Sequence, residues 1–385
     1  MNKLLTRQEI EQREGEILAP YAALSSRSQG RVYPQQEHPL RTAFQRDRDR
    51  IVHSAAFRRL EFKTQVFIPH ERDHYRTRLT HTIEVAQISR TLARNLQLNE
   101  DLAEAVALVH DLGHTPFGHA GEEVLNGLLA EFGGFNHNRQ SLRVVDLLEQ
   151  RYPDFPGLNL TYEVREGIVK HETTVPVKVE EFNPYQQPTL EASLVDIADE
   201  IAYNSHDIDD GLSSELITFA DLEDTRFWEE YGFSGDAAFQ VLSDAHRRYA
   251  LVRRLVNEMA TDVIHETGRR IQHLVITDLS SVRNCGEKIC AYSDRMRAIV
   301  QDLKQVLQTR LYRHPRLTTL SDRAGHIIEG IFQRIRKNPG LMPTRFQKML
   351  KTTPKDVVIA DYIAGMTDRY AEEMFEKLQD KGRTL

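Results

Sequence analysis

The densest chemistry in the chain lies in Val109-His110-Asp111-Leu112-Gly113-His114-Thr115-Pro116-Phe117-Gly118-His119, three histidines and one aspartate in a single short stretch. Leu102, Val106 and Val109 precede it at i, i+4 and i+7, the spacing of one helical face, with Asn99 as N-cap. Gly113 and Pro116 stop that helix, so His110 and Asp111 are expected in its last turn. A carboxylate there meets the negative end of the helix dipole, and a neighbouring cation would repair the conflict. Two arrangements are open: a divalent metal ion, or a buried His–Asp hydrogen bond with the other two histidines at the surface.

Stepping outward along the chain, His81 falls in the first turn of an amphipathic helix over 81–96, with Val85, Ile88, Leu92 and Leu96 on one face. A lone histidine at a helix start is commonly structural. Arg76 and Arg78 lie just before it in a polar loop over 70–80, and Thr64 to Pro69 reads as extended. A helix over 120–132 carries Glu122 and Glu123 in its first turn, where carboxylates are favoured, and Gly133-Gly134 ends it. Asn136 or Asn138 caps the next helix, which puts His137 at a helix start. Over 189–209, Leu194, Ile197 and Ile201 mark a buried face, while Asp196, Asp199, Tyr203 and Asp207 recur as a second, polar stripe. Such a stripe is either a solvated face or the wall of a site. His81, His110, Asp111 and a later aspartate, 199 or 196, give two imidazoles and two carboxylates. That set suits one divalent ion such as Mn, Mg, Fe, Co or Ni, with two octahedral positions left for water and a substrate oxygen, a hydrolytic arrangement.

The elements that hold these residues read as helices, and strand signals are sparse. The expected fold class is all-α, with further helices over 244–276, 294–311, 324–336 and 356–378, and Trp228 and Met366 in the core. We expect an N-terminal extension over 1–59, a helical catalytic core over 60–210, and a C-terminal helical region over 211–385 packed on it. The arginine-rich run from Arg41 to Arg59 is either a solvated face or, in part, a phosphate-facing one. The chain has 40% apolar and 28% charged residues, ordinary for a globular protein, and no apolar run long enough for a membrane span. Met1 to Gln8 lacks an apolar signal region, and the two cysteines, Cys285 and Cys290, make neither a zinc site nor a disulfide framework, so a cytoplasmic location is expected. A net charge of −7 argues against bulk nucleic-acid binding but leaves room for a local basic pocket, so single-stranded nucleic acid stays open as a partner.

The order His81, His110-Asp111, Asp199 resembles the HD superfamily of metal-dependent phosphohydrolases. More narrowly, His110 through Glu122, Phe57-Arg58-Arg59-Leu60, Ala198-Asp199-Glu200-Ile201-Ala202-Tyr203 and the tail Asp361 to Asp368 resemble the deoxyguanosine triphosphate triphosphohydrolase family, in its bacterial triphosphohydrolase-like branch. The likeness runs from about Arg41 to Tyr370. It implies an HD-domain helical core and hydrolysis of a deoxynucleoside triphosphate, dGTP or another, to deoxynucleoside and inorganic triphosphate. Carried over residue by residue, His81, His110, Asp111 and Asp199 would hold one divalent metal ion. His137 would be the acid for the leaving oxygen or a partner to the phosphates, and Glu122 and His119 would orient water or support that acid. Arg78 would contact phosphate, His114 would sit beside the α-phosphate, and Tyr203 and Asp207 would face the sugar. The likeness also implies a homo-oligomer with an activating nucleotide between subunits. Another phosphohydrolase activity, on nucleoside monophosphates or cyclic nucleotides, and a weakly catalytic nucleotide- or nucleic-acid-binding role are the alternatives.

Overall fold

Hydroxyl and amide side chains set the start of four of the helices around the site. Thr77, Asn99, Asn136 and Thr189 each accept a backbone N–H of the first turn, from Thr80, Leu102, Arg139 and Ala192. The computed structural model describes residues 4–65, 76–171, 179–231, 239 and 241–383. Most of the stretch expected to be extended at 64–69, most of the loop over 70–80 and part of the irregular stretch after His171 lie outside these residues. The fold is all-α. Its first helices are α1 (Arg7–Ile17), α2 (Ala43–Val52), α3 (Ala55–Arg59), α4 (Arg78–Asn95), α5 (Glu100–Val109), α6 (Gly118–Leu128), α7 (His137–Arg143), α8 (Tyr162–Val169) and α9 (Leu190–Ser213). Then come α10 (Phe219–Glu223), α11 (Arg226–Tyr231), α12 (Asp244–His273), α13 (Leu279–Arg283), α14 (Asp294–Val306), α15 (Pro315–Lys337), α16 (Thr344–Met349), α17 (Lys355–Ala364) and α18 (Asp368–Arg383). Among the described residues there is no strand, only isolated bridges, and no helix long and apolar enough to cross a membrane.

Helices α4, α5 and α9 pack against one another. Their buried stripes, Val85, Ile88 and Leu92, then Leu102, Val106 and Val109, then Leu194 and Ile201, meet in the main core. Removing this much apolar surface from water is what holds three otherwise marginal helices in place. A second core joins Phe117, Leu125 and Leu129 on and beside α6 to Ile328, Ile331 and Phe332 of α15 and Ile359 and Ile363 of α17. The C-terminal helices therefore fix the helix that carries Glu122. Trp228 and Met366 are buried.

Three local expectations are corrected. Helix α5 ends at Val109 with His110 as C-cap, so Asp111 lies in the turn beyond the helix and not in its last turn. Helix α6 starts at Gly118, so Glu122 and Glu123 sit in its second turn. The cause is tertiary: Phe117 adopts φ +61°, and its N–H donates to Asp368 Oδ1 at 2.9 Å. The span over 356–378 is two helices, α17 and α18, because the chain turns at Gly365-Met366-Thr367 to bring that same Asp368 onto Phe117 and Thr64.

Candidate functional site

Helix α4 contributes His81, the turn after α5 contributes His110 and Asp111, and α9 contributes Asp199. His81 Nε2 lies 2.7 Å from Asp199 Oδ1. His110 Nε2 lies 3.7 Å from the same oxygen and 3.3 Å from Asp111 Oδ1. His81, His110 and Asp199 each offer a ligand atom within 4.8 Å of the others, and all four residues are buried. The turn that holds His110 and Asp111 is locked from behind. Ser141 Oγ accepts from Gly113 N at 2.8 Å and donates to the His110 carbonyl at 2.9 Å. Gly113 is required there, since a Cβ would sit 2.2 Å from Ser141 N.

The donor set fits a divalent cation. His110 Nδ1 donates to the Ala107 carbonyl at 2.6 Å, so its Nε2 is the lone-pair nitrogen, and that atom is buried without a hydrogen-bond partner. A buried imidazole lone pair facing two ionised carboxylates is what a cation repairs. Burial opposes the charge on Asp199, yet the neighbouring His171 and His81 imidazoles hold its pKa well below the usual carboxylate range. Burial likewise opposes ionisation of Asp111, and His110, His114 and Arg78 outweigh it. Burial pushes His110 down, towards the neutral form a metal requires.

Beside this set stands a second group. His137 Nδ1 lies 3.0 Å from both Glu122 oxygens, and the His137 N–H donates to Glu122 Oε1 at 2.9 Å. Burial opposes the Glu122 charge, but the neighbouring His119 and His137 imidazoles keep its pKa far below normal. The His114 ring stacks on His137 at 4.0 Å between centroids, and its Nδ1 lies 2.9 Å from Asp111 Oδ1. Burial and the nearby Arg78 charge keep His114 neutral. His119 is 83% exposed with Nδ1 3.8 Å from Glu122, at the open rim of the group.

Arg78 is buried and paired to Asp111 Oδ2 at 2.8 Å. On α9, Asp199 and Asp207 are buried while Asp196 and Tyr203 are partly exposed, so the solvated-face alternative does not hold for Asp199 and Asp207. Asp207 accepts a short hydrogen bond from Tyr312, and burial lifts its pKa to about 7. Lys304 Nζ lies 5.5 Å from the Tyr203 ring centroid. Asp196 turns away to His171, 2.6 Å from its Nδ1, and Asp199 is the aspartate brought to the two imidazoles. The arginines of α2 are held in structural bonds: Arg48 to Asp101 and Glu104, and buried Arg50 to the Leu158 and Asn159 carbonyls.

The sequence reading passed over His171, His206, Tyr312 and Lys63. His171 stands with Nε2 3.7 Å from Asp199 Oδ2. Lys63 is fully buried and donates to the carbonyls of His114 and Ala364 at 2.5 and 2.9 Å. Nothing in their spacing marks them. Only the Asn204-Ser205-His206-Asp207 run, extending the α9 stripe, carried a usable signal.

The HD domain family matches residues 78–204, the span from the start of α4 through most of α9, and the phosphohydrolase-associated domain matches residues 290–377. A deoxyguanosinetriphosphate triphosphohydrolase-like protein of Geobacter sulfurreducens is 48% identical over 364 residues, 94% of each chain. One of Ralstonia pickettii is 49% identical over 359 residues, 92% of each chain. Another, of Brucella anthropi, is 46% identical over 383 residues, covering 94% of this chain and 95% of the relative. With the HD-domain match falling on the helices that bring His81, His110, Asp111 and Asp199 together, the chain belongs to the deoxyguanosinetriphosphate triphosphohydrolase-like family of HD-domain phosphohydrolases.

Proposed function

We propose that the protein hydrolyses deoxynucleoside triphosphates at the α-phosphorus, releasing a deoxynucleoside and intact triphosphate. One divalent ion, of the Mn, Mg, Fe, Co or Ni type, would be held by His81, His110, Asp111 and Asp199. The observation that carries this reading is His114, which touches both halves of the site: Asp111 at 2.9 Å on one side and the His137 ring at 4.0 Å on the other. When bound, the ion supplies polarisation of a phosphoryl oxygen and a more acidic water.

The remaining chemistry belongs to the chain. Glu122 accepts the Nδ1–H of His137 and leaves Nε2 as the nitrogen that exchanges a proton with the leaving 5′ oxygen. Glu122 itself is held ionised, so it orients and cannot donate, which gives the acid role to His137. His119, at the rim, supports Glu122. Arg78, paired to Asp111, would bring a guanidinium to the phosphate end, where charge builds up during transfer, and His114, held neutral, would sit beside the α-phosphate. A cavity of about 240 Å³ is lined by His119, Phe117 and Tyr312, so Tyr312, the partner of Asp207, borders the same space as His119. From α9, Tyr203 and Asp207 would read the sugar, a tyrosine under the deoxyribose leaving no room for a 2′ hydroxyl. Family likeness supports an oligomer with nucleotide between subunits.

The test is a panel of deoxy- and ribonucleoside triphosphates with each divalent ion, read for inorganic triphosphate. Triphosphate from the deoxy substrates supports the reading. Cleavage of nucleoside monophosphates or cyclic nucleotides with no triphosphate from any substrate overturns it in favour of another phosphohydrolase.

A further inference from the structure

His81 has two ways to place its single ring proton. With the proton on Nε2 it donates to Asp199 Oδ1, 2.7 Å away, and that tautomer has no lone pair on the atom facing the donor set. With the proton on Nδ1, the Nε2 lone pair is free to ligate. For His110 the choice is made by the backbone, since Nδ1 faces the Ala107 carbonyl, which only accepts. His81 has no such carbonyl. Its Nδ1 faces another imidazole, His206 Nδ1 on α9, at 3.4 Å, the two rings near-perpendicular at 83°. The other nitrogen of His206 is in direct contact with Glu84 Oε2, one helical turn after His81 on α4.

We infer that His206 and Glu84 are positioning residues that set the His81 tautomer: Glu84 accepts the Nε2–H of His206, whose Nδ1 accepts the Nδ1–H of His81. The direction follows from chemistry alone. An ionised carboxylate only accepts, a neutral imidazole has one donor and one acceptor, so the proton positions along Glu84, His206 and His81 are fixed in turn. The His81 Nε2 lone pair then faces Asp199 and His110, against the competing pull of Asp199. His206 is 5% exposed and His81 1%, so water does not substitute for either contact. Glu84 is partly exposed and held from outside by Arg76, whose Nε lies 3.5 Å away while its Nη1 pairs with Asp209 and Asp210 at 2.7 and 3.0 Å. The relay therefore ties the ligand to the protein surface across α4 and α9.

This inference rests on the metal site proposed above, and the experiment separates the two. The full-length metal-free protein is titrated with Co²⁺ alone, followed by visible absorption and calorimetry, with melting recorded for every variant. His206→Leu and Glu84→Ala are expected to weaken Co²⁺ binding by roughly 10–100-fold, the usual effect of losing a partner behind a ligating histidine. Glu84→Gln retains a carbonyl that accepts from His206 and is expected to restore wild-type affinity. Gln87→Ala, on the exposed face of the same helix, is the control. Should His206→Leu fail to fold, Glu84→Ala carries the test from a partly exposed position. Wild-type Co²⁺ affinity in Glu84→Ala, or a loss that Glu84→Gln does not restore, overturns the relay and leaves the ligand set intact. No Co²⁺ binding by the wild-type protein overturns the metal site, and the relay with it.

Discussion

Replacing His137 by alanine should separate the chemical step from metal binding and from folding. The imidazole contributes one interaction with Glu122 through Nδ1, at 3.0 Å to both oxygens, while the backbone N–H of residue 137 keeps donating to Oε1 at 2.9 Å. Glu122 therefore retains a partner, and the lost contact, a hydrogen bond to a charged group, is worth roughly 1.5–3 kcal/mol at most. His137 sits outside the His81, His110 and Asp199 group and belongs to a second set with His114 and Glu122, so the Co²⁺ held by the first group should be unchanged. A general acid in the transition state contributes about 10²–10⁴-fold, or roughly 3–5 kcal/mol of barrier. The expected outcome is a kcat reduced by that factor, a Tm lower by a few degrees and full metal occupancy. Because Glu122 and His137 act as one unit, Glu122→Gln combined with His137→Ala should cost little more than the worse single variant. Triphosphate release, melting and Co²⁺ titration on the three variants suffice. A kcat close to wild type, or additive losses in the double variant, refutes the catalytic pairing.

Asp111→Ala should abolish metal binding and also leave the buried Arg78 guanidinium uncompensated, a loss of roughly 3–5 kcal/mol; full occupancy by elemental analysis would contradict the ligand assignment. Gly113→Ala forces a Cβ to within 2.3 Å of the His137 carbonyl oxygen as well as against Ser141, so both Tm and kcat should fall, and an unchanged melting curve would show that the turn has room. Glu191 is fully buried under the N–H groups of Ala23 and Asn99, and burial lifts its pKa from 4.5 to about 7. A raised folded-state pKa stabilises fully below the unfolded value and loses that contribution as pH rises through the folded one. Glu191→Gln should therefore gain on wild type between pH 4.5 and 7, by up to roughly 3 kcal/mol in denaturant melts, and a pH-independent difference would refute the assignment.

The helix class and most of the candidate ligands were legible in the sequence because both are local. Apolar spacing at Leu102, Val106 and Val109, the Asn99 cap and the Asp199, Tyr203, Asp207 stripe are set by one helical period, and the structure keeps all three. Two of the boundaries that the sequence misjudged have non-local causes. Helix α6 begins early and the tail splits in two because Asp368 reaches back to Phe117 and Thr64, across 251 and 304 residues of chain.

The chain's own order of residues thus determined which side chains could do chemistry and that helices would carry them, since composition and a 3.6-residue period need no distant partner. Only the tertiary structure decided which of them meet. It turned Asp196 to His171 and Asp199 to His81, stacked His114 on His137, and put His206 behind His81. Those choices depend on how α4, α5 and α9 rotate about their axes as they bury their apolar faces together. That rotation is set by packing between helices distant in sequence, and spacing along any one of them does not record it.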